Sequence, residues 1–289
     1  MTSTNTLPGR AVGRVDTPRA RGGNPQTDKS AAVVPFDFEH GDPIIGMAED
    51  WYSSTGFDWH PHRGFETITY VVEGQLEHRD NRGGHGVLEV GDAQYMTAGR
   101  GIIHSERAFR HDAGGSVRTL QVWINLPAAD KMVEPAYQDL RGGQMPTRTA
   151  EGVVVRVFSG VSGGVRGPAS NHAEITMIDA RVEPNHSVRQ EIPSGQRGFA
   201  YVLGGSGRFG ADGVPVAAGQ VVRLEAVEGD TALDVTAEGS EPLWFVLFTG
   251  TPLREPVVHY GPFVMSTEQQ IYEAVADYNA GVFGPIPTA

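Results

Sequence analysis

The sequence predicts an all-β protein made of two copies of one antiparallel barrel or sandwich, closed by a short C-terminal helix. Three observations carry this. Glycine (38) and proline (19) punctuate short apolar runs at close intervals along the 289 residues, a cadence of strand, turn and strand. The chain also repeats itself. Ile68-Thr69-Tyr70-Val71-Val72-Glu73-Gly74 is echoed by Phe199-Ala200-Tyr201-Val202-Leu203-Gly204-Gly205, and Glu89-Val90-Gly91-Asp92-Ala93 by Ala217-Ala218-Gly219-Gln220-Val221. A helical period stands out near the end, where Ile271, Val275 and Tyr278 share one face.

Composition narrows the function classes. The net charge of −12 disfavours a non-specific grip on nucleic-acid phosphates, so no direct nucleic-acid binding is expected. Cysteine is absent, which removes disulfides, thiolate metal sites and cysteine nucleophiles and leaves any metal to nitrogen and oxygen donors. No segment approaches ~18 consecutive apolar residues, and the N-terminus carries no apolar run of signal-peptide type. A soluble, cytoplasmic protein away from the membrane is the expectation.

Residues 1–30 hold almost no large apolar side chain and are locally basic, with Arg10, Arg14, Arg19, Arg21 and Lys29 against Asp16 and Asp28. They read as a flexible arm, a solvated tail with an option to dock in part as an edge strand, ahead of a nucleic-acid arm. Strands begin at Ala31, and residues 31–140 form the first domain. In the Phe65–Val72 strand, Ile68, Tyr70 and Val72 face one way and Thr67, Thr69 and Val71 the other. Glu73-Gly74, Asn81-Arg82-Gly83-Gly84 and Gly91-Asp92 supply turns, and Val117–Leu126 is the next long strand. Residues 127–152 read as a linker. The second domain spans 141–265, with strands at 153–158, 175–182, 198–203, 221–224, 232–235 and 244–249. Thr251 to Met265 reads as a loop, and the helix and tail occupy 266–289. Ser266-Thr267-Glu268-Gln269 has capping-box spacing, and Asn279-Ala280-Gly281 stops the helix.

Chemistry concentrates in two short segments, His60-Pro61-His62-Arg63-Gly64-Phe65-Glu66-Thr67 and Thr97-Ala98-Gly99-Arg100-Gly101-Ile102-Ile103-His104-Ser105-Glu106. In a strand, positions i and i+2 point the same way, ~6.6–6.8 Å apart. His60 with His62, and His104 with Glu106, can therefore project into one cavity and offer three imidazoles and one carboxylate to a divalent ion. The alternative is a hydrogen-bonded polar cluster in a sheet. Glu66, four residues after His62, is a fifth ligand, an acceptor that fixes a histidine tautomer, or an acid/base group beside the metal, with the last two preferred. Arg63 and Arg100 read as anchoring ion-pair partners, and Gly99 and Gly101 as permitting a bulge before His104. His40, His78, His85, His111, His172 and His259 read as surface or satisfied residues, and His186 has no partner at strand spacing. Carried without gaps, the repeat puts Glu191, Pro193 and Arg197 opposite His60, His62 and Glu66, and Ala232 and Asp234 opposite His104 and Glu106. One metal site is expected, in the first copy.

These two segments closely resemble the pirin family of the cupin superfamily. The resemblance extends to Leu120-Gln121-Val122-Trp123-Ile124-Asn125-Leu126, Lys131-Met132-Val133-Glu134-Pro135, Pro252-Leu253-Arg254-Glu255-Pro256 and Gly261-Pro262-Phe263-Val264-Met265, and so covers about residues 33–283. It implies a bicupin, two β-barrels face to face with a metal in the N-terminal barrel only, held by His60, His62, His104 and Glu106. The glutamate at the place of Glu66 is a ligand in many other cupins but not usually in pirins. The usual cupin second motif has a proline where this chain has Thr97, and a shorter gap to the histidine; both departures follow the pirin pattern. The resemblance further implies one divalent ion, iron(II) first, with Mn, Co, Ni, Cu and Zn compatible with the donor set. It implies a quercetin 2,3-dioxygenase-like oxygenase opening flavonol-type substrates with O2. The rival implication is a metal-binding regulatory protein that modulates a transcription factor or metabolic enzyme as a redox or metal sensor.

Overall fold

One strand arrangement is built twice along the chain. The computed structural model describes residues 7–22, 27–38, 41–53, 56–110 and 114–287. Its described residues fall into two units, one within 19–144 and 253–289, the other within 1–18 and 145–252. In the first unit a seven-stranded sheet runs from edge to edge through Ala136–Leu140, Ala93–Thr97, Phe65–Gly74, Val117–Asn125, Ile44–Tyr52, Lys29–Val34 and Arg21–Gly22. A four-stranded sheet runs through Phe57–His62, Ile102–Ala108, Leu76–Asp80 and His85–Leu88. The second unit has the same order: Arg14–Asp16, Val221–Leu224, Arg197–Gly204, Leu243–Gly250, Ile175–Val182, Val153–Ser159 and Thr147–Ala150 in one sheet. Ser187–Ile192, Thr231–Glu238, Ser206–Phe209 and Val214–Ala217 make the other. All of these neighbouring strands pair antiparallel. The protein is a bicupin.

The repeat seen in the sequence is visible in the turns. Val71 and Val202 accept from the amides of Gly91 and Gly219, at 2.9 and 2.8 Å, and each donates in return to the residue after that glycine, at 3.0 Å. Both glycines have φ near +84°, a conformation that a side chain would strain.

The gapless carry-over, however, is one residue out at the ligand positions. Glu106 faces His78 and Ala108 faces Leu76 across the first four-stranded sheet. Val235 faces Phe209 and Ala237 faces Gly207 in the second. On the Ser187–Ile192 strand the inward, buried residues are Val188, Gln190 and Ile192, whereas Glu191 is exposed. The connections that join these strands to the matched segments differ in length between the copies, 63–64 against 193–196 and 98–101 against 225–230, and each one-residue slip exchanges the two faces. The places of the ligands are thus taken by Gln190, Ile192, Leu233 and Val235. Asp234 lies on the other face, paired with Arg189 at 3.0 Å. Ile192, Leu233 and Val235 bring no donor atom and belong to one large apolar core with Phe209 and Phe245.

Part of the arm docks as an edge strand, the option the sequence left open: Arg14–Asp16 pairs with Val221–Arg223, and Arg10 is only 2 % exposed. Its guanidinium donates to Thr231 Oγ1 and to the Gln196 and Glu225 carbonyls at 2.8–2.9 Å. The Gln196 and Glu225 carbonyls give the basic residue something to bind. Residues 127–152 are not a bare linker, because Ala136–Leu140 and Thr147–Ala150 are edge strands. Residues 253–265 belong with the first unit, where Val258–Tyr260 and Phe263–Met265 form a hairpin. The helix spans Glu268–Asn279 with Thr267 as its N-cap, one residue later than the spacing suggested. Thr267 Oγ1 accepts from the Gln270 amide, and Gln270 Oε1 accepts from the Ser266 amide. Ile271 and Ala274 pack with Ile103, Phe263, Met265 and Phe283. No helix among the described residues is long and apolar enough to cross a membrane.

Candidate metal centre

The Phe57–His62 and Ile102–Ala108 strands pair so that His60 lies opposite His104, and His62 opposite Ile102. Alternation then sends the three histidines to one side. A ligand nitrogen from each of His60, His62 and His104 lies within 4.8 Å of the others, and the ring centroids are 4.3–4.9 Å apart. His60 Nδ1 donates to the Asp58 carbonyl at 2.7 Å, which leaves Nε2 as the free lone pair, the usual way a backbone carbonyl fixes a ligating imidazole. Burial pushes all three imidazoles down, His62 and His104 well below the ordinary range. They are neutral at neutral pH.

The decisive feature is what these rings lack. His62 Nδ1 and both ring nitrogens of His104 are buried with no hydrogen-bond partner. A stranded buried polar group costs ~1–3 kcal/mol. A divalent cation that takes one nitrogen lone pair from each ring removes that cost for the nitrogen it takes, and the donor set fits one.

Glu106 is displaced relative to the histidines. A bulge falls between His104 and Glu106, and Glu106 pairs with Phe57 instead of Asp58. Its carboxyl accepts from Thr69 Oγ1 at 2.9 Å and Gln121 Nε2 at 3.4 Å. It lines the same cavity as His60 and His62 but stands outside the close histidine group. Burial, with a smaller contribution from the charge of Asp50, pushes its pKa up to about 7 against the Thr69 hydrogen bond. Glu66 is buried and accepts from Thr97 Oγ1 at 2.7 Å. It is not among the cavity-lining residues.

The cavity measures about 140 Å³. Alternation on two long strands supplies most of its wall: Asp50 and Tyr52 from one, Thr119, Gln121 and Trp123 from the other, with Phe57 at the bulge. The sequence reading missed these residues, because nothing in a strand of ordinary composition marks which face meets a ligand.

Arg63 and Lys131 hold the first ligand segment, and Arg100 anchors the second. Arg63 donates to the Arg100 carbonyl at 2.7 Å and pairs with Asp277 on the helix at 2.9 Å; Arg100 pairs with Glu134 at 2.7 Å. Both arginines anchor, as expected. Lys131, 1 % exposed, donates from Nζ to the Gly64 and Val264 carbonyls and to Asn125 Oδ1 at 2.7–3.0 Å, while burial lowers its pKa to about 8. Gly64 has φ +84°, and a Cβ there would meet the Val264 carbonyl oxygen at 2.0 Å.

His78, expected on the surface or satisfied, is buried at 2 % exposure, 5.5 Å from the His104 ring, with Nε2 3.1 Å from the Tyr137 hydroxyl. Leu76, two residues earlier on the same face, was the available signal. His85 is exposed beside Glu77, His259 stacks on Phe38, and His172 is exposed. His186 Nδ1 meets the Pro184 carbonyl. His40 and His111 lie outside the described residues.

A pair of cupin barrels with a clustered histidine triad in the first of them defines the class. Residues 15–124 match the pirin family model and residues 177–284 match that of the pirin C-terminal cupin domain. A pirin-like protein of Solanum lycopersicum is 41 % identical over 84 % of this chain and 82 % of its own length. The chain belongs to the pirin family. Among solved structures, GK1651 from Geobacillus kaustophilus is 43 % identical with a TM-score of 0.82, covering 87 % of this chain and 100 % of its own. A quercetin 2,3-dioxygenase from Acinetobacter baumannii is 28 % identical with a TM-score of 0.84, covering 96 % and 99 %.

Proposed function

We propose that this chain is a metal-dependent oxygenase of the quercetinase kind, opening flavonol-type substrates with O2, with His60, His62, His104 and Glu106 as ligands of one divalent ion, iron(II) first. The observation that carries the reading is the set of buried, partnerless nitrogens on His62 and His104 beside a cavity that Glu106 also lines. The similarity to the Acinetobacter baumannii quercetin 2,3-dioxygenase over nearly the whole chain supports it. Bound there, a divalent ion supplies Lewis acidity toward an enol oxygen and redox access to O2.

The protein's own contributions follow from the walls. Three neutral imidazoles and one carboxylate would leave a bound divalent ion a net charge near +1. Thr69 and Gln121 hold the Glu106 carboxyl by hydrogen bonds, and a cation beside it would favour its charged, ligating form. Phe57, Tyr52 and Trp123 keep the reacting ring from bulk water. Glu66, bonded to Thr97, steadies the strand that leads to the second ligand segment and is not assigned a proton transfer. The test is anaerobic loading with Fe(II), then quercetin and O2, following substrate bleaching and carbon monoxide release. Absence of turnover with Fe, Mn, Co and Ni alike ends the proposal.

One observation favours a second reading, a metal-tuned interaction protein of regulatory type. The cavity of about 140 Å³ is smaller than the ~300–1,000 Å³ of most small-molecule sites. A protein partner retained on purification only with the metal bound would support this reading over catalysis.

A further inference from the structure

Asp50 is a buried acid that the chemistry above leaves unused. It is 5 % exposed and lines the cavity with His60, His62 and Glu106. Its neighbour Glu49 points to the opposite face and pairs with Arg118 at 2.6 Å. Asp50 has no such cation. Its side chain bonds the Ser30 hydroxyl, and none of the described residues lining the cavity is Lys or Arg. A carboxylate buried without a cation is costly, and what relieves it in a ligand site is a donor brought by the ligand.

Size and charge narrow that ligand. A cavity of about 140 Å³ is close to the ~150 Å³ apolar cavity that takes up benzene. It has room for one ring. Phe57 and Trp123 supply apolar faces, and Gln121 and Thr119 add polar atoms. Glu106 is assigned to the metal, so Asp50 is the remaining carboxylate of the wall, and a ligand that brings a hydroxyl donor satisfies it.

We propose that the cavity takes a single polyhydroxylated aromatic ring, with Asp50 accepting a hydrogen bond from one ring hydroxyl. The inference rests on the oxygenase reading in placing the ring's other hydroxyl at the metal seat. For a flavonol it means that one ring is enclosed while the remainder lies beyond the mouth. Asp50 is then the residue that sets specificity.

Binding to the full chain loaded with zinc(II), which is redox-silent, is measured by calorimetry with catechol and with its monomethyl ether, which keeps one hydroxyl for the metal and loses the other. Catechol is expected to bind, and the monomethyl ether about tenfold more weakly. In Asp50→Asn, with zinc content unchanged, catechol weakens by about tenfold and the preference over the monomethyl ether shrinks. Equal binding of catechol and its monomethyl ether overturns the inference without any variant. So does an Asp50→Asn protein that keeps the full preference. The expected binding pattern without quercetin turnover by the iron form removes the oxygenase reading alone. Turnover without the Asp50-dependent preference removes this inference alone.

Discussion

Replacing His104 by Leu in the metal-free protein is expected to leave it as stable as before or more so, against the usual result for a buried residue. Both ring nitrogens of His104 are buried without a partner. Deleting them recovers ~1–3 kcal/mol of stranded polarity, less about 1 kcal/mol for the imperfect fit of Leu. The expected change is therefore about 0–2 kcal/mol in favour of the variant, about 0–8 °C in Tm for a unit of this size. A residue held there for packing alone would cost ~2–5 kcal/mol on truncation. Metal reverses the order: at a thousandfold excess over Kd the natural protein gains about 4 kcal/mol, and the variant gains nothing. The assay is a pair of melts for each protein, with chelator and with excess divalent ion. A metal-free variant melting more than about 5 °C below the natural protein refutes the reasoning, as does a metal shift equal in both.

Two further predictions follow from buried ionisable groups near the seat. His78 is pushed down from 6.5 to about 4, chiefly by burial. The unfolded chain therefore takes up a proton between those values that the folded chain refuses, and stability falls by about 3 kcal/mol as pH drops through that window. His78→Phe, which copies Phe209 at the matching place, is expected to flatten this part of the acid limb in urea midpoints; parallel profiles for the two proteins would contradict it. Lys131→Met strands the Gly64 and Val264 carbonyls and Asn125 Oδ1 and is expected to cost about 3 kcal/mol or more, with faster metal loss to a chelator. Unchanged stability and unchanged metal retention together would remove the clamp assigned to Lys131.

What the sequence made legible follows from periodicity. Residues at i and i+2 face one way whatever the neighbouring strands do, so His60, His62 and His104 were found as a convergent set. The repeat was legible because its two turns demand glycine at positive φ, as Gly91 and Gly219 show. Glu106 was harder, because the bulge before it shifts the pairing and a bulge is a property of two strands together. The same physics misled the carry-over from His60 and His104 to Glu191 and Ala232, where a one-residue slip swaps the faces. Asp50, Gln121 and Lys131 were invisible for another reason. Their roles come from contacts between distant segments, such as Lys131 with Val264, and no local pattern records them. Arg10 is similar: a basic residue in a polar, proline-containing stretch reads as solvated until a row of carbonyls is brought to it.

Metal content of the full chain, purified without added metal, tests the central claim most directly when set beside His104→Ala. Three imidazoles of the first barrel and nothing comparable at Ile192, Leu233 and Val235 predict about one equivalent per chain, lost in the variant. Two equivalents in the natural protein, or one retained in His104→Ala, would contradict it.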